Sequence, residues 1–381
     1  MFISKRVKDV AHSIPFFISE QAAKLRAEGR DISLFGAGET GFETPEYVKT
    51  AAKVAIDAGH TKYTAIAGIL PLREAICKKL REDNGLEYTP DQIVVSNGAK
   101  QSLWNILYSV VNEGDEVIVI KPYWLTYAEL VRLAGGVVVE VSDTKEIKAA
   151  ITEKTRVIML CTPNNPDGKV IHERELRALA KDLVGSGIWL ISDEMYEKLI
   201  YGKTKHFSIA RVYDKTITVG GVSKSIAMTG WRVGWTACCA EFAATMTRFQ
   251  SHTTCSICTI SQYAALEALS NKTEHDKFVS MVRQSFQERR DYVVKRLHGI
   301  AGVKFQEPEG AFYALVDVSK FGEAFEITQQ LLQEADVAAV PCETFGAPGH
   351  IRLSYAQPME ALEKGLDRIE GFFARKIKEV K

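Results

Sequence analysis

Near the middle of the chain an amine and a guanidinium stand eight positions apart. They are Lys224 and Arg232, in Gly220-Gly221-Val222-Ser223-Lys224-Ser225-Ile226-Ala227-Met228-Thr229-Gly230-Trp231-Arg232-Val233-Gly234. A lysine crowded by small residues loses hydration, lowers its pKa and becomes an imine-forming nucleophile. An arginine offers a permanently charged fork matched to a phosphate. The pair is what a pyridoxal 5′-phosphate (PLP) site requires. Two ordinary cations on a surface loop would satisfy the same short pattern.

Four further segments carry chemistry of a compatible kind. Gly98-Ala99-Lys100 lies where a strand gives way to a helix, so backbone N–H groups and the helix dipole can meet a phosphate. Pro163-Asn164-Asn165-Pro166-Asp167-Gly168 fixes an asparagine amide between prolines, where it can donate to a phenolate oxygen or simply stiffen a turn. Ser192-Asp193-Glu194-Met195-Tyr196 offers a carboxylate for a protonated pyridine nitrogen and a phenol for the ring oxygen. Read alone, that fragment is an ordinary helix cap. Arg352 alternates with Ile351 and Leu353 and faces away from their side, suited to an α-carboxylate or to solvent.

These residues need a frame. The apolar runs Ile93-Val95, Val117-Ile120, Val137-Val139, Val157-Leu160, Ile188-Ile191 and Ile217-Val219 are short and bounded by turn or polar residues, as strands buried on both faces are. Leu103, Ile106, Leu107, Val110 and Val111 share one helical face; Leu176, Leu179, Ala180 and Leu183 share another. Strand, loop and helix in alternation predict a mostly parallel α/β sheet whose ligands bind at the carboxyl ends of its strands. After about residue 273 the pattern becomes a long helix through Phe278, Val282, Phe286, Val293 and Leu297, then strands at Ala311–Val318 and Ile351–Tyr355, and a final helix with Leu362, Leu366, Ile369 and Phe373 on one face. The expectation is a large α/β domain over 46–285 and a smaller α+β domain from 1–45 with 286–381.

Composition narrows the function classes. The 381 residues are 46% apolar and 25% charged with zero formal net charge, which argues against nucleic acid or an anionic membrane as the partner. No apolar run is long enough to span a bilayer, and the first residues carry no signal-peptide core. Seven scattered cysteines point to free thiols in a reducing cytoplasm. Cys255-Ser256-Ile257-Cys258 has the spacing of half a zinc site, but Cys238-Cys239 is a poor second half, so no metal is assigned.

In order and spacing the segments resemble the class I/II PLP-dependent aminotransferases of fold type I, most of all the aspartate aminotransferase subgroup common in bacteria and archaea. The resemblance runs from Gly36-Ala37-Gly38-Glu39 to the C-terminal helix. It implies a mostly parallel seven-stranded sheet beside the smaller domain, and a ping-pong exchange between an L-amino acid and a 2-oxo acid. By the same resemblance, Lys224 holds PLP as an internal aldimine and shuttles a proton. Asp193 pairs with the pyridinium nitrogen, Asn165 and Tyr196 hydrogen-bond the phenolate oxygen, and Trp124 stacks on the ring, Trp124 and Asn165 also bordering the substrate. Arg232 and the Gly98-Ala99-Lys100 backbone hold the phosphate, with Tyr63 reaching in from the second subunit of a homodimer. Gly38 lies near the substrate carboxylate that Arg352 clamps.

For the substrate side chain, the resemblance assigns Lys100 to the distal carboxylate of aspartate or glutamate, with 2-oxoglutarate as acceptor. Some positions depart from the pattern. Gly38-Glu39-Thr40-Gly41-Phe42 replaces Gly-Glu-Pro-Asp-Phe, Pro15 in His12-Ser13-Ile14-Pro15-Phe16-Phe17 stands where relatives often carry a hydroxyl, Asp167 stands where threonine is usual, and Val141–Lys148 is short. These leave open an aminotransferase for aromatic or other neutral amino acids, and a PLP-dependent C–S lyase on the same fold. A PLP-sensing module joined to a DNA-binding domain is disfavoured, since no basic stretch is present.

Overall fold

The computed structural model describes residues 3–8, 10 and 14–379. His12 and Ser13, part of the segment read for the substrate rim, lie outside the described residues.

Seven strands form the main sheet: β1 (Ile93–Asn97), β2 (Glu116–Ile120), β3 (Val137–Val141), β4 (Thr155–Cys161), β5 (Trp189–Asp193), β6 (Thr216–Gly221) and β7 (Val233–Ala237). Their spatial order is β1-β7-β6-β5-β4-β2-β3, and β7 alone runs antiparallel to its neighbours. The runs of β1, β2, β4, β5 and β6 are continuous because both faces are covered; β3, at the sheet edge, departs from that expectation, with Val137 exposed. Val117, Val119, Val157, Met159 and Ile191 pack with Leu103, Ile106 and Leu107 of the helix Ala99–Val110. On the other face, Ile118, Ile158, Leu160 and Leu190 pack with Leu176, Leu179 and Leu183 of the helix Glu173–Leu183. Adjacent residues of one strand thus serve opposite layers, the period-two rule of an extended chain.

Reversal of β7 matters for the site. It pairs Val233 with Asn97, so the residue just before β7 comes to the same edge as the end of β1. The strand was not among the apolar runs read from sequence, because Val233-Gly234-Trp235-Thr236-Ala237 mixes a glycine and a hydroxyl into a short segment.

A second core lies around β8 (Tyr313–Asp317) and β9 (His350–Ser354), which pair antiparallel between Val340–Pro341 and Lys304–Phe305. The helix Lys272–His298 joins the two cores. Val279 packs in the cluster that holds Val95 and Trp235, whereas Val282, Phe286, Val293 and Leu297 pack with Ile351, Leu353 and Phe373. Near the N-terminus, Ser33–Leu34 pairs parallel with Val337–Ala338, and Ile18 and Ala22 pack on Leu332 and Ala338. The helix Ala324–Ala335 was not anticipated from sequence.

Candidate active site

Gly98, Trp124, Asn165, Asp193, Tyr196 and Lys224 follow strand ends at the carboxyl edge of the main sheet. Arg232 just precedes the antiparallel β7 at that edge, and Gly38 and Arg352 reach it from outside that sheet. Gly98 follows β1 and caps the helix Ala99–Val110 at φ +78°, a conformation that favours glycine. A Cβ on Gly98 would overlap the Arg232 guanidinium, so the two are in close contact. Arg232 itself sits at φ +56°, unusual for a residue with a side chain, and its fork is held by Thr229 O at 2.7 Å and Asn97 O at 3.3 Å. The guanidinium therefore lies beside a helix start whose first N–H groups have no intrahelical acceptor. Fork and helix start together form an anion site.

Lys224 follows β6 and is half-buried; its Nζ donates to Gly38 O at 2.5 Å. Burial lowers the amine pKa to about 8, with Glu39 pulling the other way. Asp193 ends β5, buried. The Tyr127 hydroxyl donates to its Oδ2 at 2.7 Å and the Met195 N–H to its Oδ1 at 3.2 Å. Burial outweighs the Tyr127 bond and raises the carboxyl pKa to about 6. The amine and the acid feel each other's charge.

Arg352, on β9, is only 3% exposed, which removes the solvated alternative. Its Nη1 donates to Asn165 Oδ1 at 2.9 Å and its Nη2 to Gly36 O at 3.0 Å, while Nε is buried with no protein acceptor. The plane lies 4.5 Å from the Tyr313 ring centroid and 5.4 Å from that of Phe345. Asn165 thus spends its carbonyl oxygen on Arg352 and keeps its amide for another acceptor. Tyr196, also buried, shares a hydrogen bond of 3.1 Å with the Tyr313 hydroxyl, and burial pushes its pKa well up.

Trp124 follows β2 and meets Tyr127 edge-on, with centroids 5.7 Å apart. Lys100 Nζ lies 4.9 Å from the centroid of the Trp124 ring; burial, then Arg232, lower its pKa. Tyr63, by contrast, is 89% exposed, on a loop tied down where Thr259 Oγ1 donates to Lys62 O at 2.7 Å.

Two partners escaped sequence reasoning. Tyr127 stands three residues beyond Trp124, its N–H donating to Trp124 O at 2.8 Å, a spacing that is its one local signal. Tyr313 carries no local signal, because its role comes only from the approach of β8 to Tyr196 and Arg352.

Residues 30–369 match the model of the family described as aminotransferase class I and II. The chain is 43% identical to a probable aspartate/prephenate aminotransferase of Aquifex aeolicus, over 97% of this chain and 98% of that one. It is 40% identical to an aspartate aminotransferase of a Bacillus species, covering 97% and 98%. The solved structure of the Thermus thermophilus aspartate aminotransferase with maleate superposes at a TM-score of 0.94, with 42% identity and coverage of 97% and 99%.

Proposed function

The chain belongs to the class I and II aminotransferases, and we propose that it works with PLP and takes aspartate as its preferred amino donor and 2-oxoglutarate as acceptor. The observation that carries this reading is the pairing of a half-buried amine of lowered pKa, Lys224, with a buried acid, Asp193, beside the Gly98–Arg232 anion cradle. The residues present fit the group. Arg232 and the helix start at Ala99 would take its phosphate, Asp193 its ring nitrogen, Asn165 and Tyr196 its ring oxygen, Trp124 a ring face and Lys224 its aldehyde. When bound, PLP supplies an electron-withdrawing ring that stabilises negative charge at the carbon bearing the amine.

The chain's own residues do the rest. Lys224, with a pKa near 8, is partly unprotonated at neutral pH and so can accept a proton at Nζ and return it. Arg352, stacked and buried, offers a substrate α-carboxylate a prepositioned fork in each half of the ping-pong cycle. Gly38 stays within reach, its carbonyl holding Lys224 before substrate arrives.

Arg232→Ala is expected to weaken cofactor retention roughly ten- to hundredfold, the loss of a charge-assisted bond to an anion. Titration of the apoprotein with PLP measures it, and unchanged affinity would move the phosphate elsewhere.

Lys100 supports a dicarboxylic donor: a cation held over Trp124 meets a distal carboxylate by charge pairing. That the Thermus relative carries maleate, itself a dicarboxylate, points the same way. A donor panel with 2-oxoglutarate tests it. Aspartate should lead, and Lys100→Ala should cut kcat/KM for aspartate about tenfold more than for alanine. Equal losses, or phenylalanine well ahead of aspartate, would move the chain to the aromatic or neutral reading. That alternative draws support from Phe16 and Phe17, 68% and 41% exposed beside Pro15.

The 89% exposure of Tyr63 supports a homodimer in which this phenol completes the partner's phosphate site. The switch of cores along Lys272–His298 supports a large domain over 46–285 and a small one from 1–45 with 286–381. Seven free thiols support a reducing, cytoplasmic setting.

A further inference from the structure

From the residue after Asp193 onward, the described residues hold a buried charge cluster that the reaction leaves unused. Glu194, the next residue after Asp193, is 3% exposed yet fully engaged. Its Oε1 accepts from Ser192 Oγ at 2.9 Å and Ser208 Oγ at 2.6 Å; its Oε2 lies 2.9 Å from His206 Nε2 and 3.3 Å from Asn84 Nδ2. Glu197 is bound by the Lys79 ammonium and by Asn84 Nδ2 at 2.5 Å, and lies 3.9 Å from His206 Nε2. Lys79 and Asn84 belong to the helix Leu70–Lys79 and the turn that extends it, Leu80–Asn84.

Glu194, Glu197 and His206 are the one group of three metal-ligating side chains among the described residues whose ligand atoms lie within 4.8 Å of one another. A metal is nonetheless a poor occupant, because Lys79 already supplies the cation at Glu197 and Asn84 fills both carboxylates. The cluster balances charge internally instead.

We propose that His206 is a positioning residue for the reaction: its imidazolium, hydrogen-bonded to Glu194, offsets the carboxylate adjacent to Asp193 so that Asp193 can stay ionised opposite the ring nitrogen. The inference rests on the reading of Asp193 given above. Geometry supports it at both ends. The Glu194 N–H donates to Val219 O and the Asp193 carbonyl accepts from the Thr162 N–H, so the two acids sit on one rigid strand end between β4 and β6. The Glu194 charge acts on Asp193 to favour its protonated form, and a cation on Glu194 counters that. Burial works against a charge on His206, but Glu194, then Glu197, overcome it and raise its pKa, with Lys79 opposing. Burial likewise works against Glu197, and Lys79, His206 and Lys198 overcome it and hold its pKa low. A further charged neighbour is Asp83, paired with Lys198 at 2.7 Å and 3.8 Å from Lys79; the Tyr88 phenol, held neutral by burial, feels the Glu194 charge.

The test uses the PLP-loaded enzyme with His206→Gln, which keeps a donor but removes the charge, and the double variant Glu194→Gln/His206→Gln, which removes both charges together. The acid limb of the single variant's pH profile should move up by about one unit, so that kcat falls by up to about tenfold on that limb and by less at neutral pH, with little change in KM. The pH dependence of the cofactor's visible band should move in the same direction. The double variant should recover most of the loss, since the two changes share one network. A single variant that melts earlier but keeps the wild-type acid limb and spectrum, or a double variant no better than the single, overturns the proposal. Asp193→Asn run alongside separates the two levels: full activity there removes the Asp193 reading, whereas a crippled Asp193→Asn beside an unaffected His206→Gln removes only the role of His206.

Discussion

Lys224→Ala is expected to lower transamination by on the order of 10⁴-fold or more, and borohydride treatment should then fix no cofactor to the chain. Burial brings the pKa of this amine near 8, and its Nζ is bonded to Gly38 O at 2.5 Å. Lys224→Arg should be equally inactive, because a guanidinium keeps the charge but neither donates its proton at this pH nor attacks a carbonyl. Fold damage would not account for the loss. Burial lowers the folded pKa from 10.5 to about 8, so the native chain binds this proton less tightly than the unfolded chain. The resulting destabilisation is fully present below about pH 8 and fades as pH rises towards 10.5. At pH 7 the alanine apoprotein should therefore melt no lower than wild type, a difference that shrinks at high pH. Calorimetry of the two apoproteins checks the stability arm. Substantial turnover by either variant would mean that another amine performs the chemistry.

The second large effect concerns Arg352→Ala, which should raise KM for amino donor and oxo acid alike and lower kcat/KM for both. Truncating one partner of a buried, hydrogen-bonded charge pair costs about 2–5 kcal/mol. That corresponds to roughly thirty- to several-thousand-fold in kcat/KM. Arg352 sits at the upper part of this range for a structural reason. Its plane is fixed by the Tyr313 and Phe345 rings, Nη1 is spent on Asn165 and Nη2 on Gly36 O. Arg352→Lys should rescue little, because one ammonium cannot reproduce a stacked, forked donor set. Truncation also frees Asn165 Oδ1, so some loss of cofactor affinity is expected beside the KM effect. Steady-state kinetics with both substrates measures the split. Unchanged KM values would assign the α-carboxylate to another group.

Local patterns revealed much of the frame. The run Val157-Leu160 is apolar at every position, as a strand covered on both faces tolerates, and the structure puts it inside the sheet; Val137-Val139, equally apolar, forms the sheet edge with Val137 exposed. Leu176, Leu179 and Leu183 recur at helical spacing because one face of their helix meets that sheet. The alternation around Arg352 misleads in one respect: Ile351, Arg352 and Leu353 are all buried, since β9 lies between two strands and under helices. Strand β7 was hidden by its glycine and hydroxyl; the glycine is needed because a Cβ on Gly234 would overlap Gly98 and Ala99, where β1 gives way to its helix.

By itself the amino-acid sequence determined which groups are on offer and which strand end carries each. Lys224, Asp193, Asn165 and Gly98 follow apolar runs within a few residues, and local chain stiffness is enough to put them at one edge. Only the tertiary structure decided how those groups are charged and held. Tyr127 reaches Asp193 across 66 residues, Tyr313 reaches Tyr196 across 117, and Arg352 reaches Asn165 across 187. Protonation depends on burial and on such distant partners, and neither exists until the chain has packed.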